Sequence, residues 1–307
     1  MSTIIFYAII FILVADFIWE RALSLLNIKA SKSTIPALLT GLYDEEKYSK
    51  QQLYFRTNAK FGWATATFSF LLIFAMYVFG GFAWLDEFVR TLTNNELVTS
   101  LLFFGILFFA NDLLTTPFQW YDTFVIETRF GFNKVTPKLF VLDKVKSWGL
   151  EILIGGILLT VIMLIYQQTP TYFWLIAWSV VTAFSLFMSF FYSELIVPLF
   201  NKQTPLEAGE LRDAIEQFAQ KTDFNLKNIY VIDGSKRSTK ANAYFTGWGQ
   251  KKRIVLYDTL IKELSTDEIV AVLAHEIGHN KHKHTLKGMA VSLPMNLLLF
   301  FLLGRIL

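Results

Sequence analysis

The 307-residue chain is 54% hydrophobic and 17% aromatic, with only 17% charged residues, where a typical soluble domain has about 25% charged. Its formal charge of +3 is too small to draw nucleic acid, and its lack of cysteine excludes disulfides and thiolate metal sites. What remains is an integral, multi-pass membrane protein whose solvent is the lipid bilayer and whose metal ligands, if any, are His, Asp or Glu.

Apolar runs long enough to cross the hydrocarbon core predict six spans, at about 3–25, 62–84, 97–116, 148–166, 172–193 and 288–304. The first has no basic leader or small-residue cleavage site and carries Asp16, Glu20 and Arg21, so it reads as a retained helix. Loops are expected at 27–60 and 117–147, which makes 1–198 a five-helix membrane region. Successive connections contain 6, 1, 5, 0 and 14 Lys or Arg. By the positive-inside rule, this alternation puts the N-terminus outside and the long insertion 199–287 in the cytoplasm. Asp16, Asn111, Asp112, Glu151 and Glu194 lie in or beside spans. They suit a water-filled interior, with interfacial placement or pairing between helices as the alternative, an equal one for Asp112 and Glu194.

Residues 199–287 read as a small α+β unit. Thr204-Pro205-Leu206-Glu207 has the pattern of a capping box, and Leu211, Ile215, Phe218 and Ala219 follow at helical spacing. Strands are expected at Asn228–Asp233, Asn242–Thr246 and Arg253–Tyr257, with turns at Asp233-Gly234-Ser235 and Gly247-Trp248-Gly249. Ser265 and Glu268 form a second capping box, opening a helix with Ile269, Val272 and Leu273 on its apolar face. The sixth span, within 288–307, follows it.

All four histidines fall on or just after that last helix of the insertion, in His275-Glu276-Ile277-Gly278-His279 and at His282 and His284. The H-E-x-x-H spacing stacks His275 and His279 one turn apart on one face, where both can reach a single Zn²⁺. Glu276 stands where it can take a proton from the attacking water. His282 is near the same face, but on a straight helix its backbone is about 10.5 Å from that of His275. It and His284 are therefore expected at the surface or behind the ligands. The third ligand is open: Glu207, Glu210, Asp233 and Asp258 are upstream candidates without diagnostic spacing. A ligand from later sequence would need a further span to return to the same side, which suggests a chain cut short at Leu307.

Three blocks resemble the type I CaaX prenyl proteases, which are integral-membrane zinc metalloproteases. They are Pro117 to Lys134, with Phe130-Gly131-Phe132-Asn133; Asp233 to Ser238 with Asn242-Ala243-Tyr244-Phe245 and Lys252 to Leu260; and the H-E-x-x-H helix. The resemblance implies a predominantly α, polytopic helical barrel of seven membrane helices around a chamber, with the α+β zinc-protease insertion on the cytoplasmic side. It implies zinc on His275 and His279, Glu276 as catalytic base, and substrate peptide paired along Asn242, Ala243 and Tyr244, for which a plain structural strand is the alternative. The family's third ligand, a glutamate after the seventh span, has no counterpart up to Leu307, so it is expected beyond that residue or on a complementary fragment. The isolated chain is accordingly expected to bind zinc weakly and cleave poorly. Thr239-Lys240-Ala241 also departs from the family's small and His residues. The implied function is peptide-bond hydrolysis, either C-terminal processing of prenylated proteins or membrane-protein quality control. A non-catalytic, client-binding scaffold is the alternative. A metal transporter is disfavoured because no predicted span contains a histidine.

Overall fold

The computed structural model describes residues 3–32, 34–224, 226–246 and 252–306. Two compact units divide at Phe130/Gly131.

The first unit is helical. It comprises α1 (Thr3–Ala30), α2 (Glu45–Val78), α3 (Gly81–Leu92) and α4 (Glu96–Tyr121), the last running through a π-helical stretch, Asp122–Glu127, into α5 (Thr128–Phe130). Local chemistry sets the starts. The Asp44 side chain accepts from the Lys47 amide at 2.8 Å, and Asn95 caps α4 through the amides of Leu97 and Val98. Gly80, at φ 70°, supplies the left-handed turn that separates α2 from α3. Inside α1, the Arg21 guanidinium lies 5.7 Å from the rings of both Phe17 and Trp63, so its charge is held by aromatic faces.

The second unit carries α6 (Pro137–Leu150), continued by a π-helical stretch into α7 (Gly156–Gln168), then α8 (Phe173–Leu195) and α9 (Val197–Phe200). After the insertion, α13 (His284–Ile306) lies against α8. The Trp178 indole donates to the Leu293 carbonyl at 3.3 Å. A β-carbon on Gly304 would come within 2.8 Å of the Trp174 Cβ. Small residues permit this close helix approach.

Among the described residues, the six expected spans are matched by six helices long and apolar enough to cross a membrane, with mean hydropathies of 1.7–2.3. Their ends differ from expectation. The span expected at 62–84 cannot run past Gly80, and its helix begins back at Glu45. The third helix continues to Phe130, so much of the loops expected at 27–60 and 117–147 is helical. Hydropathy marks only the lipid-facing part of a helix, and a capped helix runs on beyond it.

Between α9 and α13 the described residues form a four-stranded sheet of order β1-β2-β4-β3. Its strands are β1 (Gln203–Pro205), β2 (Leu226–Ile232), β3 (Ala243–Thr246) and β4 (Lys252–Tyr257), accompanied by α10 (Glu210–Lys221), α11 (Asp258–Glu263) and α12 (Thr266–Lys281). β2 and β4 pair in parallel at the centre, and β1 and β3 pair antiparallel outside them. Ile229, Ile254 and Leu256 pack with Ile215, Leu260, Ile269 and Leu273 into one buried core, as a covered parallel pair requires. The capping box expected at Thr204 does not form. Gln203 to Pro205 pair instead with Tyr230 to Ile232, and the helix starts at Glu210. A ladder with a buried strand outweighs a local cap that the same residues could make. The turn expected at Gly247-Trp248-Gly249 lies outside the described residues.

Candidate functional site

α12 opens with the expected capping box, Ser265 and Glu268 each binding the other's backbone. The Ser265 amide and hydroxyl hold the Glu268 carboxyl below its usual range. Ile269, Leu273 and Ile277 recur every fourth residue and are all buried, which fixes the roll of the helix. His275 and His279, each two positions beyond a buried residue and so about 200° around the axis, therefore face away from the core. Both are exposed, and Glu276 between them is half-buried.

The two imidazoles converge. Their Nε2 atoms are 3.1 Å apart. Two nitrogens each 2.0–2.1 Å from a tetrahedral zinc would be separated by about 3.3 Å. The pair thus fits two corners of one coordination shell. Just beyond, the helix breaks at His282, Lys283 takes the left-handed region at φ 54°, and α13 starts at His284. This turn brings His284, not His282, back to the pair: His284 Nδ1 is 2.8 Å from His279 Nδ1. His282 stacks on His284 with ring centroids 5.7 Å apart.

No group of three His, Asp or Glu able to hold a metal exists among the described residues. The upstream candidates have other partners or places. Asp233 accepts from the Asn201 side chain at 3.0 Å. Asp258 accepts from the amide and hydroxyl of Ser235. Burial acts to raise the Asp258 carboxyl, but Ser235 and the charge of Lys262 together hold it below its ordinary value. Glu207 precedes α10 and Glu210 begins it.

β3 forms one edge of the sheet. Asn242 O accepts from Tyr257 N at 3.0 Å. In an antiparallel ladder this alternation turns the backbone groups of Tyr244 toward β4 and those of Ala243 and Phe245 toward the open side. The Asn242 side chain occupies one outward donor, accepting from the Ala243 amide at 2.9 Å. The edge is held from behind. Tyr244 Oη and Ser193 Oγ of α8 are 3.0 Å apart, and burial pushes the Tyr244 hydroxyl up. Arg253 of β4 pairs with Glu194 at 2.9 Å, an ion pair that joins the end of α8 to a strand and not to another helix.

Sequence reasoning missed the anchor of this unit. Arg237 makes a bidentate pair with Asp143 of α6, at 2.8–3.0 Å, and also donates to Asn201. Beside it, Lys134 N donates to Arg237 O and Thr239 N to Phe132 O. Two of the motif blocks therefore join by backbone pairing. Thr239 also donates its hydroxyl to Gly131 O, and Lys240 Nζ lies 4.8 Å from the Phe132 ring centre. The departure at Thr239-Lys240 is thus accommodated by contacts of its own. No local pattern signals a pair 94 positions apart; only the blocks' shared resemblance pointed to one site.

Comparison with known proteins gives the following. The family described as "CAAX prenyl protease N-terminal, five membrane helices" matches residues 24–202, and peptidase family M48 matches 205–307. The chain is 37% identical over 294 residues to CAAX prenyl protease 1 homolog of Arabidopsis thaliana, covering 93% of this chain and 68% of that protein. It is 38% identical to CAAX prenyl protease 1 of Saccharomyces cerevisiae, covering 91% of this chain and 64% of the yeast protein. The crystal structure of S. mikatae Ste24p superposes with a TM-score of 0.89 at 37% identity, over 94% of this chain and 70% of that one.

Proposed function

The chain belongs to peptidase family M48 as a multi-pass membrane metallopeptidase, and from that premise we propose that His275 and His279 hold a zinc ion and that Glu276 is the catalytic base. The carrying observation is the convergence of the two Nε2 atoms, 3.1 Å apart on one exposed helix face. Bound there, zinc would polarise the scissile carbonyl and lower the pKa of water. The remaining work belongs to the chain. Glu276, one residue from the first ligand, accepts the proton of the attacking water and delivers it to the leaving amine. The third ligand is a carboxylate from outside the described residues. The chain spans 64–70% of the length of the relatives compared.

Substrate peptide adds to the sheet along Asn242, Ala243 and Tyr244. The outward groups of Ala243 and Phe245 suit recognition of an extended backbone with little demand on side chains. The Asn242 side chain must swing off the Ala243 amide as the peptide arrives. The relatives' names direct the proposal to prenylated C-terminal CaaX peptides. The charge pattern of the connections directs it to a cytoplasmic insertion with the N-terminus outside.

The test pairs zinc content with hydrolysis of a prenylated CaaX peptide by purified protein, supplied where needed with the downstream segment. Glu276→Gln is expected to lower turnover by about 10²–10⁴-fold while retaining zinc, and His279→Ala is expected to lose the metal. Wild-type cleavage rates in Glu276→Gln, or unchanged zinc in His279→Ala, would refute the assignment.

A further inference from the structure

We infer that His284 is a positioning residue for the metal site, acting as the hydrogen-bond acceptor that fixes the tautomer and ring plane of His279. This rests on the assignment of His279 as a zinc ligand.

His279 has two ring nitrogens with different neighbours. Nε2 faces His275 Nε2 at 3.1 Å, and Nδ1 faces His284 Nδ1 at 2.8 Å. A nitrogen that ligates a cation offers a lone pair, so Nε2 must be unprotonated and the ring proton must sit on Nδ1. That N–H then points at His284 Nδ1, which accepts when the His284 proton is on its own Nε2. Both nitrogens of His279 are thereby assigned. Zinc-bound imidazoles generally donate their second N–H in this way, and loss of the partner typically costs 10–100-fold in metal affinity.

His284 stands behind the His279 ring, on the side opposite His275, and so is not a third ligand. Among the described residues no three-residue metal group forms there. The fold builds the contact deliberately. α12 stops at Lys281, Lys283 turns through φ 54°, and α13 begins with His284 itself. A helix continuing straight would carry residue 284 about 7.5 Å along the axis from His279. The ring of His282 lies nearly parallel to that of His284, at 20°, and limits its rotation.

Two variants separate acceptor from bulk. Asn Oδ1 occupies the place of His Nδ1, both being bonded to Cγ, so His284→Asn keeps an acceptor. His284→Leu keeps the volume and removes it. Zinc affinity is measured on the purified full chain by chelator competition, alongside the melting temperature of the zinc-free protein. The expected result is a 10–100-fold weaker zinc affinity for His284→Leu, recovery to within about threefold of wild type for His284→Asn, and equal zinc-free melting temperatures. An unchanged affinity in His284→Leu overturns the inference, as does equal weakening in both variants. If wild-type protein binds no zinc that His279→Ala abolishes, the ligand assignment falls, and this inference with it.

Discussion

At Gly234, buried in the turn after β2, a β-carbon would meet the Tyr257 ring at 2.3 Å. The neighbouring residues explain why the approach is so close: Ser235 binds Asp258, and Asn201 binds Asp233, so the turn is drawn onto the start of α11. Gly234→Ala is expected to destabilise the insertion by about 1–3 kcal/mol, as overpacking does. A thermal melt in detergent reads this, and an unaltered melt would mean that Tyr257 swings aside freely. At the same scale, the proposed metal pair was legible in the sequence because H-E-x-x-H needs only helical spacing to bring two rings together. His284 was not. Its contact depends on Lys283 adopting a left-handed conformation that the sequence does not signal, since glycine, not lysine, is the usual occupant.

Among the elements, β3 is the one whose position the proposed peptide binding depends on. Its four residues pair with β4 along one side, and the other is an open edge of the kind to which extended peptides add. Ala243→Pro removes an outward donor and leaves the pairing with β4 intact, since that amide does not point into the sheet; proline is tolerated on an edge in that setting. KM for peptide is expected to rise a few-fold to about tenfold, the worth of roughly one hydrogen bond. Tyr244→Pro is the contrast, because it removes a donor aimed at β4 and should lower the melting temperature. If Ala243→Pro leaves KM unchanged, the peptide does not use this edge. β2, β3 and β4 were legible from their β-branched and aromatic runs, and β1 was not. The strand order was not legible either, because β2 and β4 are parallel neighbours separated in sequence by the edge strand, and pairing partners depend on the core they share.

For the whole molecule, the absence of cysteine makes the proposed topology directly testable. Single cysteines at Asn94, between α3 and α4, and at Glu263, at the end of α11, should label from opposite faces of sealed vesicles. Glu263 is expected to react from the cytoplasmic side. Labelling of both from one side would overturn the orientation drawn from the basic residues. The scaffold alternative loses ground at this scale, since the match to M48 runs across the insertion and the last span together.

The sequence by itself determined the membrane class, six apolar helices, the capped helix with its two imidazoles, and the strands β2, β3 and β4. All of these follow from periodicity, caps and hydropathy, which act within a few turns of the chain. Only the tertiary structure decided that Gln203 to Pro205 join a sheet instead of capping a helix, that Arg237 locks onto Asp143, and that β3 lies at the edge. Each of these is a competition between a local preference and a partner far away in the chain. Burial and charge pairing resolve such competitions only once the chain has brought the partners together.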